Sequence, residues 1–201
     1  VKTITDLGMK PLLITVTDSF THTKAGVHNL RNLIEVFRAN HYQYTINHAT
    51  FREMTRKDFE ETGEPLKYVE KFIYEIPLQL AKKFNIPLVF FGENPAYEYG
   101  TTDTDVKPEL PLVFMSHYFP WSSTEHLELA KKYGFKDLTG EWEREGTIEN
   151  FEQIDSFGYM VHLWMKYPKF GFQRVTDIAS RRVREGLLTL EEAEALIKEN
   201  D

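Results

Sequence analysis

Apolar residues in this chain fall into short unbroken runs separated by stretches of helical spacing. Pro87–Phe91 (PLVFF) is a continuous apolar run ended by polar turn residues, the pattern of a strand buried on both faces, and Pro11–Thr17 (PLLITVT), followed by Asp18-Ser19, is a second buried-strand candidate. Between them, Val27, Leu30, Leu33, Ile34 and Phe37 recur at the helical period over Ala25–Asn40. Tyr42–His48 predicts a third strand, with Tyr44 and Ile46 alternating against polar neighbours. Thr50 and Glu53 have the spacing of a capping box for a short helix. Leu66–Phe84 predicts a longer helix, which Pro77 is expected to kink or split in two.

The order is therefore strand, helix, strand, helix, helix, strand. Such alternation predicts an α/β fold with a parallel sheet and right-handed crossovers. Parallel strands put their carboxyl ends on one edge, where open α/β sheets bind ligands. That edge would carry Thr17-Asp18, Asn47-His48 and Gly92-Glu93-Asn94, so one crevice rimmed by Asp18, His48, Glu93 and Asn94 is expected. Each has a plainer reading as well: a helix cap for Asp18 and a turn for Gly92-Glu93-Asn94-Pro95.

The second half reads differently. Thr101–Pro111 is expected to be a loop, in which Asp103 and Asp105 read as solvated charges, and Leu112–Tyr118 fits a fourth strand. Ser122 and Glu125 form a capping box opening a helix that ends at Gly134. Residues 136–150 are polar and irregular. Phe157–Tyr167 predicts an aromatic helix, Val175–Glu185 a basic helix ended by Gly186, and Thr189 with Glu192 caps a final helix. An α/β core over residues 1–120 and a mainly helical region over 121–201 follow. At the other end, Val1–Leu7 followed by Gly8 reads as the last turns of a helix with a glycine C-cap, so further residues are expected before it.

Composition narrows the function. The 201 residues are 41% hydrophobic and 27% charged, with no apolar run of about 18 residues, so a cytoplasmic protein without a membrane role is expected. The absence of cysteine excludes disulfides, thiolate metal sites and a catalytic thiol within these residues. A net charge of −7 argues against nucleic acid as a main partner. The basic residues that do cluster are Lys166, Lys169, Arg174, Arg181, Arg182 and Arg184. Lys169 and Arg174 flank aromatics and a glycine (KFGFQR) and together offer a point charge and a planar fork for phosphate oxygens. Arg181, Arg182 and Arg184 read more simply as a solvated helix face. Asp18 and Glu93 have the chemistry to bind magnesium, to orient a sugar hydroxyl or to act as a base; magnesium on nucleotide phosphates takes only one or two protein carboxylates. The seven histidines show no metal-ligand spacing. Trp121, Trp142 and Trp164 have faces suited to sugar rings, but such aromatics are expected mostly in the core.

Several segments, taken in order, carry a resemblance: GMKPLLITVTDSF, GVHNLRNLIEVF, MTRKDFEETGEPL, PLQLAKKFNIPLVFFGENPAYEYG, YFPWSS, KKYGFKDL, GEWEREGTIENFEQID and KFGFQRVTDIASRRVREGLLTLEEA. Collinear over nearly the whole chain, they resemble the N-acetyl sugar amidotransferases of surface-polysaccharide biosynthesis. These belong to the ATP-pyrophosphatase group of the adenine nucleotide α-hydrolase-like (HUP) fold. The resemblance implies a doubly wound parallel sheet, truncated at its N-terminus, with a helical C-terminal appendage. It implies ATP and Mg2+ as cofactors and a nucleotide-linked N-acetyl sugar as substrate. ATP would adenylate the acetamido oxygen and release pyrophosphate, and ammonia would displace AMP to leave an acetamidino group. The ammonia would come from glutaminase and cyclase-like partner subunits.

On this resemblance, Val16, Thr17 and Asp18 lie near adenine, Gly92, Glu93 and Asn94 line the site, and Lys169 and Arg174 meet phosphate or substrate. The family's Ser-Gly-Gly-x-Asp-Ser pyrophosphate loop is not among these residues; it would precede the helix ending at Gly8. Two other readings stay open: a sulfur transferase of the same ATP-pyrophosphatase type, and a nucleotide- or partner-binding core without catalysis.

Overall fold

The computed structural model describes residues 1–94 and 112–200. The readings for Pro95–Gly100 and Thr101–Pro111, with Asp103 and Asp105, lie outside the described residues. The chain opens with a short helix, α1 (Lys2–Thr5), after which the Met9 N–H turns back to the Thr3 carbonyl across Gly8 at 3.0 Å. Strand β1 (Leu12–Thr17), helix α2 (Lys24–Phe37) and strand β2 (Asn40–Thr45) follow. Helices α3 (His48–Thr62) and α4 (Lys67–Lys83) lead to strand β3 (Val89–Phe91). After strand β4 (Leu112–Phe114) and a 3-10 turn at Met115–His117 come helices α5 (Ser123–Lys132), α6 (Phe157–Trp164), α7 (Lys166–Phe170), α8 (Arg174–Arg184) and α9 (Leu190–Asn200).

β1 and β2 pair in parallel, Leu12 opposite Asn40 through Thr17 opposite Thr45. β3 and β4 pair in parallel from Val89–Leu112 to Phe91–Phe114. Among the described residues these are two separate ladders rather than one sheet. Helix α4 packs on both β1 and β3 and so ties the ladders together.

Four local expectations are corrected. β2 ends at Thr45, not His48, because Asn47 starts the next helix: its side-chain oxygen accepts the N–H groups of Ala49 and Thr50 at 3.0 and 3.2 Å. Thr50 and Glu53 therefore lie inside α3, a helix of 15 residues, instead of opening it. α4 runs unbroken through Pro77. The missing amide costs one rung, about 3 kcal/mol in an isolated helix, and burial of Val69, Ile76, Leu80 and Ala81 offsets it. β1 is half-buried along all six residues rather than buried on both faces, since β2 is its one ladder neighbour among the described residues. The two later capping boxes form as expected. Ser122 accepts from the Glu125 N–H at 3.4 Å, and Thr189 and Glu192 exchange bonds of 2.8 and 3.2 Å.

Three buried clusters hold these elements. Val89, Phe91 and Ala81 pack between the β3–β4 ladder and α4. Ile46, Phe51, Leu66 and Val69 join α3 and α4 beneath Val16 and Phe20. Ala25, Leu138, Ile154 and Met160 join α2 to the C-terminal region.

A dense set of polar contacts then clasps the loop after β1 to residues 154–158. The buried Asp18 carboxylate accepts from the Ser156 hydroxyl at 2.8 Å and, in a tight turn, from the Phe20 N–H at 2.8 Å. The Thr23 hydroxyl donates to the Ile154 carbonyl at 2.5 Å and accepts the Gly26 N–H at 2.9 Å, capping α2. The Thr23 N–H reaches the Asp155 carbonyl at 3.1 Å, and the Phe157 N–H reaches that of Thr21 at 2.9 Å. The approach is close enough to require glycine at 26: a Cβ there would meet the Asp155 carbonyl oxygen at 2.4 Å.

Ser156 is fully buried at 0% exposure, so removing its hydroxyl strands one oxygen of Asp18. Ser156→Ala is expected to cost about 1–3 kcal/mol, read as a lower urea midpoint with an unchanged slope. An unchanged midpoint would show that the clasp carries no stability.

Candidate functional site

The clasp sets α6, α7 and α8 over the carboxyl end of β3. Between them lies a cavity of about 630 Å³. Its floor carries Glu93, from the turn after β3; its walls carry Tyr159 and His162 from α6, Lys166 and Lys169 from α7, and Arg174 and Arg181 from α8. Glu64 and Glu70 enter from the α3–α4 side and Glu152 from the segment before the clasp.

Each cation is set against a carboxylate. Lys169 Nζ donates to Glu64 Oε1 at 2.7 Å, and its stem crosses the turn at Gly63, where a Cβ would sit 3.3 Å from its Cδ. Arg174, 7% exposed, donates to Glu152 Oε2 at 2.6 Å and Asp177 Oδ2 at 3.4 Å. Lys166 shares Asp177, and Arg181 lies 3.8 Å from Glu152 Oε2. Four cations thus face three paired carboxylates, Glu64, Glu152 and Asp177. Removing one partner of a buried pair leaves the other charge uncompensated, so these pairs hold the side chains in one arrangement.

Two polar atoms in the wall are buried without a hydrogen-bond partner, Glu93 Oε2 and Arg174 Nε. Burial raises the Glu93 carboxyl above the usual glutamate range. It does the same to the Tyr159 phenol, aided by the carboxylates of Asp155, Asp18, Glu70 and Glu93. Tyr159 also packs against the Ile46 cluster, together with Val16 and Phe20. Burial, then the neighbouring Lys169, Lys166 and Arg174, lower the His162 pKa against the opposing pull of Glu64. Burial also lowers that of His126, with Lys2 adding to it.

The sequence-derived candidates divide in two. Lys169, Arg174 and Glu93 come together on the cavity, although roughly 80 residues separate Glu93 from the other two. Val16, Thr17 and Asp18 do not line it. Val16 packs on the Ile46 cluster, Thr17 Oγ1 is buried without a partner, and Asp18 is held by Ser156 and Phe20. Gly92 lines an adjoining cavity of about 340 Å³ that shares Trp121, His126 and Ala130 with the large one. Asn94 follows Glu93 on the same turn. His48 sits at the start of α3, its Nδ1 2.7 Å from the Ser19 hydroxyl. Arg181, read as a solvated face residue, is instead on the cavity wall with a side chain 15% exposed.

Glu64, Glu152, Asp177, Tyr159 and His162 were not singled out by sequence. Asp177 alone carried a usable signal, three residues after Arg174 on a helix. Glu64 and Glu152 are far from their partners in the chain. Among the described residues no three His, Asp or Glu side chains converge as a metal centre, and no helix is long and apolar enough to cross a membrane.

Comparison with known families bears on this wall. Residues 145–201 match the family model described as LPS biosynthesis protein WbpG-like, C-terminal domain. The match takes in Glu152, Tyr159, His162, Lys166, Lys169, Arg174, Asp177 and Arg181, the whole cationic side of the cavity. It supports a family role in surface-polysaccharide biosynthesis. No curated protein matches the chain.

His162 supplies a pH dependence whose sign can be worked out. Its folded pKa is lowered, so as pH falls below about 6.5 the unfolded chain binds the proton first. Stability is therefore lost as pH drops from 6.5 to the folded value and is constant below it. Thermal midpoints are expected to fall between about pH 7.5 and pH 5. His162→Gln should make that fall shallower; an identical slope would show that the ring titrates as it does in the unfolded chain.

Proposed function

We propose that this protein is an ATP-dependent amidotransferase acting on a nucleotide-linked N-acetyl sugar in surface-polysaccharide biosynthesis. The observation that carries the reading is the convergence of Lys166, Lys169, Arg174 and Arg181 with Glu93 on one cavity, at the carboxyl end of a parallel strand. The resemblance of nearly the whole chain to N-acetyl sugar amidotransferases and the match of residues 145–201 to the WbpG-like LPS biosynthesis family model support it.

The chemistry asks for what this cavity offers. An amide oxygen is a poor leaving group until it is attached to the α-phosphorus of ATP with loss of pyrophosphate; ammonia then displaces AMP and leaves an amidine. Such a reaction depends on holding the reacting groups in line and on offsetting phosphate charge. Lys169 and Arg174 are suited to the phosphates, Lys as a mobile point charge and Arg as a fixed fork. Their carboxylate partners must yield as phosphate oxygens arrive. Phosphate, carrying more charge per group, is the stronger competitor for Arg. Glu93, with its unpartnered Oε2, is the carboxylate that would hold Mg2+ on those phosphates, and the metal's charge would favour its ionised form. Val16, Thr17 and Asp18 remain the proposed adenine side, with the Thr17 hydroxyl retaining free hydrogen-bonding capacity. Glutaminase and cyclase-like subunits are the proposed ammonia source, and the cytoplasm the proposed location.

The test is pyrophosphate release by the full-length protein with ATP, ammonia and nucleotide-linked N-acetyl sugars, with mass spectrometry of the product. Lys169→Ala and Arg174→Ala are expected to slow it about 100-fold. Arg174→Lys controls for folding, since it keeps the charge and loses the fork. Wild-type rates in both alanine variants would remove these residues from the site, and a product with its acetamido oxygen intact would exclude the reaction.

A further inference from the structure

A second cavity, of about 300 Å³, lies beside the first and shares Leu163 and Arg174 with it. Two tryptophans line it, and neither is the core residue that composition led us to expect: Trp142 is 44% exposed and Trp164 is 66% exposed. Trp142 is held by Phe157, the ring centres 5.1 Å apart. Trp164 ends α6. Large aromatic faces left in contact with water at a concave surface are costly unless a ligand covers them.

The polar lining decides what kind of ligand fits. Both terminal nitrogens of Arg144 are engaged, donating to the Glu149 carboxylate at 2.5 Å and to the carbonyls of Glu149 and Glu152 at 2.8 and 2.9 Å, and its Nε is buried without a partner, so the side chain, 7% exposed, offers little to a ligand. The exposed lining groups are therefore Glu143 and Glu145, with Gln173 beside them. Exposed carboxylates repel a phosphate but accept hydrogen bonds from hydroxyls, and an amide both donates and accepts. The volume stands at the lower end of small-ligand pockets, about 300–1,000 Å³, and suits one ring rather than a nucleotide.

We propose that the cavity between Trp142 and Trp164 binds the pyranose ring of a neutral sugar, its apolar face on tryptophan and its hydroxyls toward Glu143, Glu145 and Gln173. Arg174 stands on the wall common to both cavities. A sugar seated here would direct a diphosphate linkage past Arg174 toward Lys166 and Lys169. The inference deepens the proposed reaction and rests on that reading only in taking the sugar to be nucleotide-linked.

Tryptophan fluorescence of the full-length protein tests it without ATP or ammonia. The probes are N-acetylglucosamine, N-acetylgalactosamine and the UDP-linked form of each. A saturable emission change with at least one is expected, together with tighter binding of its UDP-linked form. Trp164→Ala, at an exposed position, should weaken binding about tenfold with the melting temperature unchanged, and Trp142→Phe should weaken it less. No response to any probe, or equal affinity in both variants, would overturn the site. So would a Trp164→Ala change in sedimentation without a change in sugar response, since that would make the exposed ring a protein contact. Sugar binding without turnover would sink the amidotransferase reading and leave this site standing. Turnover with an unaltered KM in the tryptophan variants would do the reverse.

Discussion

The buried contact between Asp18 and Ser156 is the joint on which the rest of the molecule turns. It links residues 138 positions apart and is surrounded by main-chain bonds in both directions. A carboxylate taken out of water needs donors, and here a hydroxyl and an amide provide them. Once they are in place, the start of α6 is fixed against the end of β1, and the helices that follow inherit that position. The cavity over β3 is a consequence of this docking.

Charge within the cavity is balanced in a particular way. Lys166, Lys169, Arg174 and Arg181 would repel one another if left unpaired in a half-buried space. Glu64, Glu152 and Asp177 offset that repulsion and hold the guanidinium and ammonium groups ready. On the proposed reading, a ligand takes the place of these carboxylates by bringing more negative charge, which favours phosphate over a single carboxylate. The neighbouring tryptophan cavity has the opposite character, acidic at its rim and aromatic within. Two adjoining spaces of unlike chemistry suit a ligand that is itself divided into a charged part and a neutral ring.

Much of the local structure was legible in the chain. The apolar runs marked β1 and β3, and the Ser122–Glu125 and Thr189–Glu192 boxes marked the starts of α5 and α9. Gly134 and Gly186 marked helix ends, and both carry positive φ. The misread boundaries share a cause. Thr50 with Glu53 has the local spacing of a cap, but the Asn47 side chain accepts the Ala49 and Thr50 N–H groups and opens the helix three residues earlier. Pro77 breaks an isolated helix, but α4 is pinned by the strands on which it packs. For the site, the KFGFQR segment and the turn after β3 were readable as polar groups at expected places. Their meeting was not, because it depends on contacts across more than 70 residues.

What the sequence determined by itself is the set of elements and the supply of chemistry: strands from unbroken apolar runs, helices from caps and period, cations bunched between 166 and 184. These are local properties, written in residues within a few positions of one another. Tertiary structure alone decided which carboxylate faces which cation, that Arg181 belongs to a wall rather than to solvent, and that Trp142 and Trp164 line a hollow rather than the core. It also decided that Asp18 accepts from Ser156 and Phe20, a contact that position in the chain does not reveal. The reason is physical: a buried charge or ring is assigned its role by whichever groups desolvate it, and those groups arrive from distant parts of the chain.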